Sequence, residues 1–214
     1  TSAPGKVILF GEHAVVYERP AIAAPVTQVQ ANAVIEPASP HSGLVIVAAD
    51  LKRDIVAATA PRDEPLAAAA RLTLSYLSAP EPDATLTISS TIPIASGLGS
   101  GAAVSTALVR ALASFLEHDL EPAEVNAIVF EVERIHHGTP SGIDNTVVVY
   151  EQPVYFVRGR PIDRLTVGQP FTILVGDTGE PSPTGEAVER VRQGWQREPA
   201  RYDALFDQIG DTAN

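Results

Sequence analysis

Ile94-Ala95-Ser96-Gly97-Leu98-Gly99-Ser100-Gly101-Ala102-Ala103 is the stretch that decides the fold of this chain. Before it, residues 84–92 alternate apolar and polar side chains, which is typical of a half-buried strand. After it, apolar residues from Ala102 to Leu116 recur at helical spacing. Glycines between a strand and a helix let backbone N–H groups approach an anion at the positive end of the helix dipole. The stretch therefore predicts a phosphate-binding loop, with a plain glycine-rich turn as the alternative.

This loop differs from two common nucleotide-binding motifs. No Lys-Ser/Thr pair follows its last glycine, as a Walker A loop requires, and the spacing does not fit the dinucleotide fingerprint. Glycines alone would favour the plain turn, so the interpretation depends on two other segments of the chain.

The first of these segments is the N-terminus, where residues 3–17 read Ala-Pro-Gly-Lys-Val-Ile-Leu-Phe-Gly-Glu-His-Ala-Val-Val-Tyr. A short apolar strand is predicted over Val7 to Phe10. Lys6 precedes this strand, and Glu12 and His13 follow it. Charged groups at the ends of a buried strand need partners or a ligand, because an unpaired buried charge is unfavourable. The pattern indicates a site at this strand.

The second segment is residues 133–145, Glu-Arg-Ile-His-His-Gly-Thr-Pro-Ser-Gly-Ile-Asp-Asn. A helical pattern begins at Pro122 and is closed by Gly138. The turn that follows delivers Asp144 to the start of a strand predicted over Thr146 to Tyr150. An isolated aspartate in this position would be read as a surface Asx turn.

Together, the three segments resemble the GHMP kinase superfamily, and most closely its mevalonate kinase branch. Residues 93–102 match the Pro-x-x-x-Gly-Leu-Gly-Ser-Ser-Ala loop of that superfamily, with Gly101 in place of the second serine. Asp177-Thr178-Gly179, followed by Thr184, resembles the beginning of the second domain of the family.

The resemblance implies an α+β fold of two domains. Residues 1–168 would form the S5-domain-2-like N-terminal domain, with a left-handed βαβ crossover that breaks the usual right-handed rule. Residues 169–214 would begin a ferredoxin-like C-terminal domain, starting with a strand over Phe171 to Val175. No glycine-rich motif of the family follows Gly185, so we expect the last quarter to third of a typical member to be missing.

The resemblance also implies an activity: transfer of the ATP γ-phosphate to the 5-hydroxyl of mevalonate, in isoprenoid biosynthesis, with Mg²⁺. Asp144 would act as general base on the acceptor hydroxyl, with Lys6 beside it to stabilise developing charge. Glu133 and Ser100 would bind magnesium, which favours one or two carboxylates plus phosphate oxygens and water. Without the motif, Glu133 would be read as part of a solvated helix face.

Two further sets of residues follow from the resemblance. Substrate contacts fall on Glu12, His13, Ser141 and Thr184, although Thr184 is equally well explained as a helix N-cap. The predicted ATP-binding residues are Pro93, Ser96, Gly97, Leu98, Gly99, Ser100, Gly101 and Ala102.

Two alternatives stay open at this point. The first alternative to mevalonate phosphorylation is another GHMP kinase, acting on phosphomevalonate or a sugar, and the second is a catalytically silent metabolite sensor of the same fold. The presence of Lys6, Glu133 and Asp144 favours an enzyme.

Composition limits the partners of this chain. The 214 residues are 45% hydrophobic and 19% charged, which is typical of a globular protein. The net charge of −11 argues against nucleic acid and anionic membranes as partners. The absence of cysteine excludes disulfides and thiol catalysis. With no membrane-spanning run and no signal peptide before the first strand, we expect a cytoplasmic protein, and a homodimer is one alternative for its assembly.

Overall fold

The fold is seen in a computed structural model of the chain. It describes residues 1–93, 96–137, 139–169, 171–176 and 184–214, with the backbone alone at 136, 137, 184 and 186. Asp177-Thr178-Gly179 and Gly138 therefore lie outside the described residues.

Seven strands in the described residues form one mixed sheet in the order β4-β3-β5-β2-β6-β7, with β1 paired to β2. Most neighbours are antiparallel, whereas β3 and β5 pair in parallel and are joined through β4 and a helix. The strands are β1 Ser2–Phe10, β2 Ala21–Pro37, β3 Leu44–Ala48, β4 Arg53–Val56, β5 Ala84–Ser90, β6 Val154–Phe156 and β7 Asp163–Arg164.

Six α-helices lie in the described residues, together with two short 3₁₀ turns. Helix α2 packs against β1 and β2, and α1 and α3 pack against α2. The helices are α1 Pro65–Leu77, α2 Ser100–Phe115, α3 Pro122–His137, α4 Ile143–Tyr150, α5 Thr184–Arg197 and α6 Pro199–Asp211. This mixture of sheet and helices confirms the predicted α+β class.

Alanine makes up much of the core beneath the sheet. Helix α1 has four consecutive buried alanines at 67–70, and α2 contributes further buried alanines along with Leu108 and Leu112. Small side chains allow helix and sheet backbones to approach closely, so close packing replaces large side chains here. The result is a tightly packed layer that holds the start of α2 against β1.

Several predicted elements are present with different bounds. Strand β1 begins at Ser2 rather than at Val7, so Lys6 lies within the strand and not before it. The sequence pattern also predicts a strand over Val26 to Ile35, and the observed β2 extends beyond these residues at both ends. The loop-flanking strand ends at Ser90, and α2 starts two residues before Ala102, at Ser100.

The predicted strand over Phe171 to Val175 is wrong for this structure. Residues 171–176 have no regular secondary structure, and the side chains of Phe171 and Leu174 are 66% and 92% exposed. A strand needs hydrogen-bonded neighbours, and none of the described strands pairs with this segment. Within the part of the chain that the structure describes, no helix is both long enough and apolar enough to cross a membrane.

Candidate functional site

Lys6 and Asp144 meet at the centre of the candidate site. Lys6 lies on β1, and its ammonium Nζ is 3.1 Å from Oδ1 of Asp144. The Lys6 side chain is only 7% exposed, whereas the Asp144 side chain is 34% exposed. A carboxylate that is partly open to solvent and paired with a buried lysine can accept a proton from a bound hydroxyl while the lysine balances its charge.

Asp144 is presented by a helix, which corrects the strand predicted over Thr146 to Tyr150. Helix α4 starts after Gly142, whose φ of 91° lies in the left-handed region, and Asp144 lies in its first turn. The Thr146 hydroxyl donates to the Gly142 carbonyl at 2.6 Å, which satisfies this β-branched residue inside a helix. A carboxylate in the first turn also interacts favourably with the helix dipole.

The glycine-rich loop is attached to the strand that carries Lys6. The Lys6 backbone N–H donates to the Leu98 carbonyl at 2.9 Å, and Gly99, with a φ of 72°, precedes the first residue of α2. A Cβ added at Gly99 would lie 2.6 Å from Cγ of Lys6, so the lysine stem runs directly over this glycine. The loop thus contacts both the N-terminus of α2 and the side chain that reaches Asp144.

Other predicted loop residues lie around the same turn. The Ser96 hydroxyl donates to the Pro93 carbonyl at 2.8 Å and so closes the turn. Ser100 starts α2, and the buried Ala102 packs its first turn into the core. Gly97 has a φ of 78°, and a Cβ there would contact nothing within 4 Å.

Glu133 is the third charged group of the site. It is buried in α3, with an exposed fraction of 8%, and its Oε1 would lie 3.3 Å from a Cβ at Gly101. The pKa of Glu133 is raised to about 7, chiefly by burial and secondly by the negative charge of Asp144, while the positive charge of Lys6 acts to lower it. Glu133 therefore faces the first turn of α2 from the neighbouring helix α3, and it does not lie on a solvated helix face.

The Glu133 carboxylate and the Ser100 hydroxyl fit a magnesium ion that is bound mainly through phosphate oxygens. Within the described residues, no three His, Cys, Asp or Glu side chains lie close enough together to hold a metal ion. Mg²⁺ in nucleotide sites is usually held by one or two carboxylates, with phosphate oxygens and water completing its shell. Glu133, beside the loop and electrostatically coupled to Asp144, has the chemistry for this role, and Ser100 offers a hydroxyl on the adjoining first turn of α2.

The predicted substrate residues are less closely assembled. Glu12 is exposed and His13 is half-buried, and both directly precede the 3₁₀ turn Ala14–Tyr17. The Ser141 hydroxyl accepts from the backbone N–H of Ile143 at 3.3 Å, so it lies just before the start of α4. Thr184 is the first residue of α5, and its side chain lies outside the described residues.

Sequence reasoning missed the contact between Gly99 and the Lys6 stem. It also missed the packing of α6, and of Trp195 in α5, against the Ala14–Tyr17 turn. Both contacts join segments far apart in the chain, so no local pattern could have indicated them.

Comparison with known proteins identifies the family of this chain. The model of the GHMP kinases N terminal domain matches residues 65–152, which include the glycine-rich loop, Glu133 and Asp144. A mevalonate kinase of Archaeoglobus fulgidus is 32% identical over 217 residues, with 97% of this chain and 68% of the relative covered. The chain therefore belongs to the GHMP kinase family.

Within that family, the similarity is to mevalonate kinases. The enzyme of Thermococcus sibiricus is 33% identical over 98% of this chain and 66% of its own length. The crystal structure of L. major mevalonate kinase in complex with R-mevalonate is 29% identical, with a TM-score of 0.69 over 98% of this chain and 65% of that one. The chain therefore spans about two thirds of the length of the curated relatives it matches.

Proposed function

We propose that the protein is an ATP-dependent kinase that transfers the γ-phosphate of ATP to the 5-hydroxyl of mevalonate. The observation that carries this proposal is the Lys6–Asp144 pair, with Nζ 3.1 Å from Oδ1, beside the buried Glu133. Relatives that are about one third identical along nearly the whole chain are mevalonate kinases, which supports the choice of acceptor.

In this proposal the loop and α2 bind the phosphates of ATP. Backbone N–H groups of residues 96–102, at the positive end of α2, balance phosphate charge. The acceptor oxygen bonds to the γ-phosphorus as the bond to the ADP oxygen breaks, and the hydroxyl proton passes to the Asp144 carboxylate. Lys6 stabilises the negative charge that gathers around the acceptor oxygen.

Glu133, with Ser100 beside it, would hold the magnesium ion that accompanies ATP. When bound, this ion neutralises charge on the β- and γ-phosphates. The role of Glu12 and His13 would be to hydrogen-bond the acceptor. Cytoplasmic location and assembly as a homodimer stay predictions.

A substrate panel tests the proposal. Coupled kinase assays on mevalonate, phosphomevalonate, homoserine and galactose should show the highest kcat/KM for mevalonate. Preferred turnover of another alcohol would replace mevalonate as the substrate. ATP binding without turnover of any of them would favour the silent sensor.

Replacing the Glu133 carboxylate should change the magnesium requirement. In Glu133→Gln we expect the half-saturating concentration of free Mg²⁺ to rise by about tenfold or more, because an anionic ligand is lost. Glu131→Gln, on the same helix but paired with Arg134 at the surface, is the matched control and should leave the curve in place. An unchanged curve for Glu133→Gln would remove Glu133 from the metal site.

Substitutions at Gly101 separate steric from ligand effects. A Cβ there lies 3.3 Å from Oε1 of Glu133, so both alanine and serine must displace this carboxylate by a few tenths of an ångström. Only serine adds an oxygen ligand. Free-Mg²⁺ titrations should therefore give a lower requirement for Gly101→Ser than for Gly101→Ala, and equal curves would show that the hydroxyl does not reach the metal.

A further inference from the structure

The backbone at His13 adopts an unfavourable conformation. Its φ and ψ are 60° and −47°, and the Ala14 N–H donates to the Glu12 carbonyl at 2.7 Å. This is the γ-turn with a positive central φ, which is rare and strained. Such a conformation persists only where the surrounding structure fixes it. The packing of the following 3₁₀ turn, Ala14–Tyr17, therefore decides where Glu12 and His13 lie.

The inner side of the 3₁₀ turn packs toward the helix that carries Asp144. Val15 is 2% exposed and belongs to one apolar cluster with Ile143 and Val147 of α4. The backbone N–H of Val15 also donates to the Gly11 carbonyl at 3.0 Å. These contacts place the turn next to the candidate catalytic aspartate.

The outer side of the same turn packs against the α5–α6 hairpin. The Tyr17 ring stacks on the Phe206 ring with centroids 4.1 Å apart and an interplanar angle of 14°. The Trp195 ring lies 5.4 Å from Tyr17 on the other helix of the hairpin. Phe206 is 2% exposed, so this contact is a small buried core and not a surface touch.

Arg19 adds polar contacts and a close packing contact between the end of the 3₁₀ turn and helix α6. The guanidinium donates through Nε to Asp207 Oδ1 at 2.9 Å and through a terminal nitrogen to the Tyr17 carbonyl at 2.7 Å. A Cβ at Gly210 would lie 2.9 Å from Cβ of Arg19 and 3.1 Å from Cδ of Pro20. Helix α6 therefore rests directly on the chain that leaves the turn.

We propose that the α5–α6 hairpin is a positioning element for the acceptor alcohol. By packing on Tyr17 and Arg19, it holds the strained turn at His13 so that Glu12 and His13 face the acceptor. Tyr17 and Phe206 are positioning residues, since they act through the turn. This inference rests on the proposed function for its choice of mevalonate as the probe.

Gly210→Ala in the full chain tests the proposal. Alanine favours a helix over glycine, yet its methyl group would meet Arg19 Cβ, so α6 has to move away from the turn. We expect KM for mevalonate to rise by about an order of magnitude, as for lost binding contacts, with KM for ATP nearly unchanged. Gln208→Ala, at an exposed position of the same helix, is the control and should change neither constant.

Two results would overturn the proposal: an unchanged KM for mevalonate in folded Gly210→Ala, or an equal rise for both substrates. If Gly210→Ala does not fold, Asp207→Asn serves instead, because it removes the negative charge that pairs with Arg19 at an exposed position. It should shift the same constant in the same direction by a smaller factor.

Trp195 supplies a readout that does not depend on turnover. It is the single tryptophan of the sequence and lies against Tyr17. Mevalonate should change its fluorescence in the wild type, and Trp195→Phe should abolish the change. In Gly210→Ala the change should need more mevalonate. No change on saturation would contradict coupling between hairpin and site.

The substrate panel distinguishes a wrong choice of substrate from a wrong role for the α5–α6 hairpin. If another alcohol of the substrate panel is the one phosphorylated, the same variants are measured with that alcohol. A selective rise in its KM would support positioning by the hairpin even though mevalonate is not the substrate.

Discussion

Asp144→Asn is expected to lower kcat by about 10²–10⁴, the range in which general-base contributions fall. Asparagine keeps the shape of the side chain but cannot accept the proton of the acceptor hydroxyl. Nucleotide binding should persist, because the loop residues 96–102 and the start of α2 are untouched. Single-turnover rates and ATP affinity would be measured on the same preparation.

The same substitution should also reduce stability, because Lys6 is almost fully buried and loses its carboxylate 3.1 Å away. We expect a loss of about 1–3 kcal/mol in the free energy of unfolding, because the buried ammonium group keeps only a neutral amide oxygen in place of its charged partner. Asp119→Asn, at an exposed position after α2, is the matched control with the same change in charge. A normal kcat in folded Asp144→Asn would exclude Asp144 as the base.

Gly99→Ala is expected to have the second largest effect, a loss of about 10² in kcat/KM, which is what a misplacement near 1 Å costs a catalytic group. The added methyl group would lie 2.6 Å from Cγ and 3.0 Å from Cε of Lys6, so the lysine stem has to move. The backbone at φ 72° is also unfavourable for alanine.

Gly97→Ala separates these two causes. Its backbone has a similar φ of 78°, but a Cβ there contacts nothing within 4 Å. It should therefore show the conformational penalty alone, about 1–2 kcal/mol, with Lys6 in place. Steady-state kinetics and thermal unfolding of both variants provide the comparison. Equal losses would mean that Gly99 matters for its backbone only.

Local patterns were sufficient for the elements on either side of the glycine-rich loop. Alternating side chains predicted β5, and helical spacing predicted α2, because each element buries one face against the core. Pro122 correctly marked the start of α3. The sequence pattern also predicts helices over Gly185 to Arg197 and Ala200 to Ile209, which correspond to α5 and α6. The resemblance to the family depended on this loop together with residues 3–17 and 133–145.

The predicted strand over residues 146–150 failed because propensity gave way to tertiary packing. Its β-branched side chains are buried against neighbouring helices in α4, and burial outweighs their modest helix penalty. Gly142 precedes this helix, and Asp144 lies in its first turn, where an acidic side chain interacts favourably with the helix dipole.

The site itself needed the three-dimensional fold. Lys6 and Asp144 come together because of the register of β1 with β2 and the position of α4. No local sequence pattern around either residue specifies this register or this position. Strain at His13 is also invisible in the sequence, since it arises from how the next turn is packed. The resemblance supplied these residues as members of a site, but not their distances.

The run of buried alanines in α1 limits the size of the side chains that can replace them during evolution. At positions 67–70 the side chains are 0–3% exposed, so successive faces of the helix are enclosed. A larger apolar residue there overfills the layer and costs about 1–3 kcal/mol, whereas glycine costs up to about 1 kcal/mol in helix propensity. In a deep mutational scan, tolerance along this helix should follow side-chain volume more closely than hydrophobicity, so that serine survives where leucine does not.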